Sequence, residues 1–172
     1  MKIYYNINTL VGKKESKCGE MWSETAERRD LSVFTGEHYH IIDSKGRLAM
    51  PAKLREELGE SFMIAPSIRG NCIKVYSMAE WELFLEPILK TPRKTSEATL
   101  RYLHRTAAQV TPDTQGRILL SPGLIDKAQI KKDAVVIGCG SYIEIWSKEN
   151  YDAAVAEEDL DAIIRELEEL GL

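Results

Sequence analysis

Two short stretches of this 172-residue chain combine residue types and spacing that could do chemistry. The first is Asp43-Ser44-Lys45-Gly46-Arg47, and it returns 70 residues later as Asp113-Thr114-Gln115-Gly116-Arg117. In each, an Asp at the first position of a turn accepts bonds from the amides that follow, and a Gly supplies the positive φ that closes the turn into the next strand. The same Asp can orient the guanidinium four residues on. An Arg held in this way presents a planar fork of donors that matches guanine O6 and N7 or a phosphate. Lys45 suits a phosphate oxygen, and Gln115 can make polar contacts to phosphate or to a base. Asp43 and Asp113 are therefore read as positioning residues, and Lys45, Arg47, Gln115 and Arg117 as candidates for contacting DNA. One copy alone would be a structural turn with a surface ion pair worth roughly 0–1 kcal/mol. Two copies in matching contexts favour function, although duplication would also preserve a structural turn. Lys45 has no cationic counterpart at Gln115, so the first tip is expected to contribute more to affinity than the second.

Other constellations carry less. His38 and His40 alternate and would share one strand face, but no nearby Cys or acidic cluster completes a ligand set, and no metal is expected. Cys18, Cys72 and Cys139 are odd in number and far apart, which suits neither a zinc site nor a disulfide framework. Cys72 and Cys139 adjoin apolar runs and read as core packing. There is no Gly-x-Ser-x-Gly, no Walker-type loop and no Gly-x-Gly-x-x-Gly after a strand, so no catalytic residue, cofactor or small-molecule substrate is assigned. An enzyme using Asp43 and Asp113 as a carboxylate pair is a weaker alternative, because each Asp comes with an Arg that lowers its pKa. Arg93, Lys94, Arg101 and Arg105, with Lys90 and His104, make a second basic cluster. It is read as pairing with acids such as Glu56, Glu57 or a neighbour's tail in preference to phosphate.

The net charge of −4 looks wrong for a nucleic-acid binder until it is divided. Residues 149–172 hold nine acidic groups against Arg165 alone, which leaves 22 basic and 18 acidic groups in residues 1–148. The body is mildly basic, and what matters for DNA is where cations cluster. No run approaches the ~18 apolar residues of a membrane span. The first residues lack the apolar core of a signal peptide, so a cytoplasmic, nucleoid-associated protein with no membrane partner is expected.

Stepping outward from the turns, periodicity supplies the elements that would hold them. Residues 37–42 are rich in β-branched and aromatic residues and read as a strand, with Arg47 to Met50 as its return. Pro51 opens a short helix that Gly59 stops. Phe62 to Ala65 and Cys72 to Tyr76 read as strands. Ser77 and Glu80 form a capping box before a helix carrying Trp81, Phe84, Leu85 and Ile88. A linking helix is expected from Ser96 to about Gln109. The order then repeats: turn, strand 117–120, a helix capped by Ser121-Pro122, strands 134–137 and 142–146. From Tyr151 one long helix is expected, carrying Val155, Leu160, Ile163, Ile164, Leu167 and Leu170 in a stripe. The organisation is a disordered N-terminal extension over 1–32, a repeat over 33–92, a linking helix over 93–109, a repeat over 110–150 and an acidic amphipathic helix over 151–172.

Thr35 to Leu48 with Pro51-Ala52-Lys53-Leu54-Arg55, and Asp113 to Leu119 with Ile143-Glu144-Ile145-Trp146, strongly resemble the MraZ family of bacterial transcriptional regulators. The similarity runs from about Val33 to about Tyr151. It implies an α+β fold of two tandem SpoVT/AbrB-like repeats forming a pseudo-symmetric β-barrel-like core with peripheral helices. It further implies a ring-shaped homo-oligomer that binds G-containing direct repeats in double-stranded promoter DNA of the division and cell-wall gene cluster, and autorepression. The family's Asp-x-x-x-Arg positions fall on Asp43, Arg47, Asp113 and Arg117. A non-DNA-binding structural oligomer is the rival reading, for which the terminal helix and strand-rich body would suffice.

Overall fold

Eight strands and six helices in the same order twice over build the part of the chain that positions the turns. The computed structural model describes residues 33–172; the expected N-terminal extension, Cys18 included, lies outside the described residues. The first half runs β1 (Glu37–Ile41), β2 (Arg47–Ala49), α1 (Ala52–Leu58), β3 (Phe62–Pro66), β4 (Cys72–Ser77), α2 (Met78–Leu89) and α3 (Arg93–Thr106). The second runs β5 (Ala108–Val110), β6 (Arg117–Leu119), α4 (Pro122–Lys127), β7 (Asp133–Gly138), β8 (Ile143–Ser147), α5 (Lys148–Ala156) and α6 (Leu160–Glu169).

The strands form one antiparallel six-stranded sheet, ordered β1-β7-β8-β4-β3-β5, and a separate two-stranded ribbon, β2-β6. That order reads the same from either end once β1 is equated with β5, β7 with β3 and β8 with β4. The registers obey the same two-fold. Leu48 faces Ile118 in the ribbon and Lys74 faces Glu144 in the sheet, each residue opposite its own repeat partner. The 70-residue offset becomes 72 on β3 and β7, where Phe62, facing Ser77, corresponds to Ala134, facing Ser147. β1 of the first repeat pairs with β7 of the second, while β5 of the second pairs with β3 of the first. Neither repeat completes its own sheet.

The core lies between the sheet and the ribbon and is filled by partners under the two-fold. Leu48 with Ile118, Met50 with Leu120, Leu54 with Leu124, Leu58 with Ala128 and Ile73 with Ile143 are all buried in one cluster. Along β8 the burial alternates, with Ile143, Ile145 and Ser147 inside and Glu144 and Trp146 partly open, as a sheet with one covered face requires. β4 is buried on both faces because α2 and α3 cover its outer side with a second cluster of Tyr76, Trp81, Leu85 and Leu103.

Three expectations need correction. The hydrogen bonds that would close a barrel are not formed among the described residues; β1 and β5 remain edges, and only the Ile42–Leu48 bridge joins the end of β1 to the ribbon. Gln109 belongs to a strand, not to the linking helix, because α3 ends at Thr106 and β5 needs those residues to complete β3. The terminal helix is two helices. The Asp159 side chain accepts from the Ala162 amide and starts α6 afresh after α5 ends at Ala156, since an Asp with a free amide two to three residues on competes with helix continuation. Within the basic cluster, two members find acidic partners on their own helices. Arg101 pairs with Glu97 at 2.9 Å and Lys90 with Glu86 at 2.7 Å, each one turn back on its own helix.

Candidate nucleic-acid interface

The two turns are built identically. At the first, the Gly46 amide donates to the Asp43 carbonyl at 2.9 Å, and the Asp43 amide donates to the Arg47 carbonyl at 3.0 Å. One carboxylate oxygen of Asp43 accepts from the Lys45 and Arg47 amides, both at 2.9 Å. The other accepts from Arg47 Nε at 2.7 Å and lies 2.6 Å from its Nη2. At the second turn, Asp113 accepts from the Gln115 and Arg117 amides at 2.9 Å, from Arg117 Nε at 2.8 Å and from its Nη2 at 2.7 Å. Gly46 and Gly116 have φ of 77° and 73°, a region that costs an L side chain roughly 1–2 kcal/mol. The Asp-x-x-Gly-Arg spacing is therefore the bonding pattern itself: two amides and one guanidinium on one carboxylate.

Electrostatics follow from this geometry. The side-chain bonds from Arg47, then its amide, hold the Asp43 carboxyl down at about 2, and Arg117 does the same for Asp113. Both are ionised at neutral pH, so neither has a proton to give as a general acid. Each Asp engages Nε and Nη2 of its Arg, which leaves Nη1 outside the clamp. The Arg47 and Arg117 side chains are 31% and 27% exposed.

The ribbon brings the two arginines together. With Leu48 and Ile118 buried beneath, Arg47, Ala49, Arg117 and Leu119 all lie on its outer face, because side chains alternate along a strand. Arg47 sits opposite Leu119 and Arg117 opposite Ala49, so the arginines are diagonal, about 7 Å apart along the strands at 3.4 Å per residue. The Met50 amide donates to the Gly116 carbonyl at 3.0 Å, and the Leu120 amide to the Gly46 carbonyl at 2.9 Å, so each turn is pinned to the strand leaving the other. Lys45 and Gln115 project, exposed, from the two tips.

Two neighbours escaped the sequence reading. Leu119, 62% exposed, lies beside Arg47; its phase with Arg117 along β6 was the available signal. Arg55, from α1 of the first repeat, lies over Gly116 of the second, its Cζ 2.6 Å from where a Cβ would stand. No local signal joins these two, since the contact exists only because the repeats interlock. His38 and His40 do share a half-buried face of β1, and burial lowers the His40 pKa. Among the described residues no group of three or more His, Cys, Asp or Glu gathers as a metal site. Cys72 is buried, its thiol pushed up to about 12 by burial; Cys139 is partly buried and raised to about 11 for the same reason. Among the described residues no helix is long and apolar enough to cross a membrane.

Fold and site together define a class: two interlocked α+β repeats that display a symmetric pair of Asp-clamped arginines on one ribbon. The chain belongs to the MraZ family, whose model, described as "MraZ protein, putative antitoxin-like", matches residues 33–102 and again 103–167. Over 144 residues the chain is 40% identical to a protein of Caldicellulosiruptor saccharolyticus named transcriptional regulator MraZ, covering 81% of this chain and all of that one. Proteins of the same name from Clostridium tetani and Dictyoglomus turgidum are 39% and 37% identical, over 81% and 80% of this chain and 100% and 94% of theirs.

Proposed function

We propose that this chain is a sequence-specific, DNA-binding transcriptional regulator, with Arg47 and Arg117 engaging base edges or phosphates, Lys45 and Gln115 making the flanking contacts, and Asp43 and Asp113 as positioners. The observation that carries the reading is the ribbon: two guanidiniums, fixed by identical Asp clamps, on one outer face. A two-stranded ribbon is an element the ~12 Å major groove admits, and an Arg fork matches the guanine edge there. The regulators of the same family named above support it. One chain offers few cations, so affinity comes from several copies in a ring-shaped homo-oligomer engaging G-containing direct repeats about one helical turn apart. The target is the promoter of the division and cell-wall gene cluster, under autorepression, in the cytoplasm at the nucleoid. In this scheme residues 33–92 and 110–150 are the two SpoVT/AbrB-like repeats, 93–109 links them, and 1–32 and 151–172 are accessory ends.

Footprinting on duplex DNA from upstream of the chain's own coding sequence tests this. The expected result is a periodic protected region whose binding weakens steeply as salt rises, because neutralised phosphates release counterions. The exposed apolar stripe of α6 (Leu160, Ile163, Ile164, Leu167) favours the rival reading, an assembly protein. An oligomer with no affinity for that DNA at low salt would establish the rival instead.

A further inference from the structure

We infer that Arg55 supplies the second turn with the cation that Gln115 does not, acting as a phosphate contact from the neighbouring repeat. The inference rests on the DNA-binding reading above and adds a residue to it. Three observations meet at this side chain. First, the Arg55 guanidinium lies on the turn itself, its Cζ 2.6 Å and its Nε 3.5 Å from the position a Cβ on Gly116 would take. Second, the position equivalent to Arg55 is Ile125, and Ile125 Cδ1 lies 3.3 Å from the corresponding point at Gly46. Each turn is therefore capped by the α-helix of the other repeat, with an aliphatic end over the first turn and a guanidinium over the second. Third, Arg55 is half-buried and takes no ion-pair partner among the described residues, unlike Arg47, Arg101 and Arg117.

The two asymmetries cancel. The first turn has Lys45 at its tip and Ile125 behind; the second has Gln115 at its tip and Arg55 behind. Each then presents its own clamped Arg plus one further positive charge, so a two-fold ribbon presents balanced charge to a two-stranded target. The chemistry is that of a phosphate site: a planar fork of donors on a stem held by packing, which loses little freedom on binding. α1 is anchored for this by Leu54 and Leu58, both buried in the core on either side of Arg55.

The test measures affinity of the full chain for the upstream duplex across a sodium chloride series, with melting temperature recorded for every variant. Arg55→Met keeps the packing stem and removes the charge. It is expected to weaken binding about evenly across DNA sequences and to flatten the plot of log affinity against log salt by about 1 per engaged copy. Arg55→Lys should retain the wild-type slope, and adding Gln115→Lys to Arg55→Met should restore it. An unchanged slope in Arg55→Met, beside lost binding in Arg117→Ala, would overturn the inference. So would a weakened Arg55→Met that Gln115→Lys fails to rescue, since that pattern belongs to a residue that merely supports the turn. Wild-type protein without affinity at low salt is a different failure, that of the DNA reading itself.

Discussion

At the residue scale, the account turns on one carboxylate holding two amides and a guanidinium. The clamp depends on ionised Asp43 and Asp113, whose folded pKa of about 2 lies below the ordinary 3.8. A depressed carboxyl pKa gives a contribution fully present above the unfolded value and lost as pH falls through the folded one. The turns should therefore be insensitive to pH above about 4 and should loosen between about 4 and 2. NMR titration of the two carboxyl carbons checks this: midpoints near 2 are expected, and midpoints near 3.8 would mean the clamp does not form in solution. The glycines give a second prediction. Gly46→Ala meets the Leu120 carbonyl at 3.1 Å, whereas Gly116→Ala runs into the Arg55 guanidinium, and both take positive φ. Each should lower stability by about 1–2 kcal/mol for φ alone, and Gly116→Ala should in addition displace the Arg55 guanidinium. Losses near zero in denaturant titrations would show that the turns do not hold these glycines at positive φ in solution.

At the element scale, the ribbon is what makes two turns into one site. Leu48 and Ile118 lie opposite each other, neither exposed at all, directly under the arginine-bearing face. Leu48→Ala is expected to cost about 2–5 kcal/mol in urea unfolding, the usual range for emptying such a core position, and to weaken DNA binding through both turns together. A variant that binds DNA normally at full occupancy would uncouple the ribbon from the site. This scale also shows what the sequence could and could not reveal. The turns and the capping Ser77 and Ser121 were legible because each is a local pattern bonded locally: Ser77 accepts from the Glu80 amide and Ser121 from the Leu124 amide. The extent of α3 and the break after α5 were not. Gln109 is helix-compatible by propensity and becomes a strand only because β3 offers a free edge. The stripe over 151–170 keeps helical period across Glu157 to Asp159, so periodicity alone hides the Asp159 cap.

At the scale of the whole molecule, repetition in sequence became interpenetration in space. A 70-residue repeat reads as two beads on a string, yet β1 and β5 are exchanged between halves and the core is shared. Expressed separately, residues 33–106 and 107–172 should each remain largely unfolded by circular dichroism, and mixing them should restore β-structure; two independently folded halves would contradict the exchanged pairing. The exchange also explains why Arg55 could not be assigned from the chain, because the residue it serves lies in the other repeat. It explains as well why Arg47 and Arg117 share a face despite their separation in sequence. The most direct test of the central claim is a gel-shift series on the upstream duplex with Arg47→Ala and Arg117→Ala, alongside oligomer mass by light scattering. Loss of binding in each variant, with mass unchanged, is the predicted result; undiminished binding by either would contradict the assignment of the clamped arginines as the DNA-contacting pair.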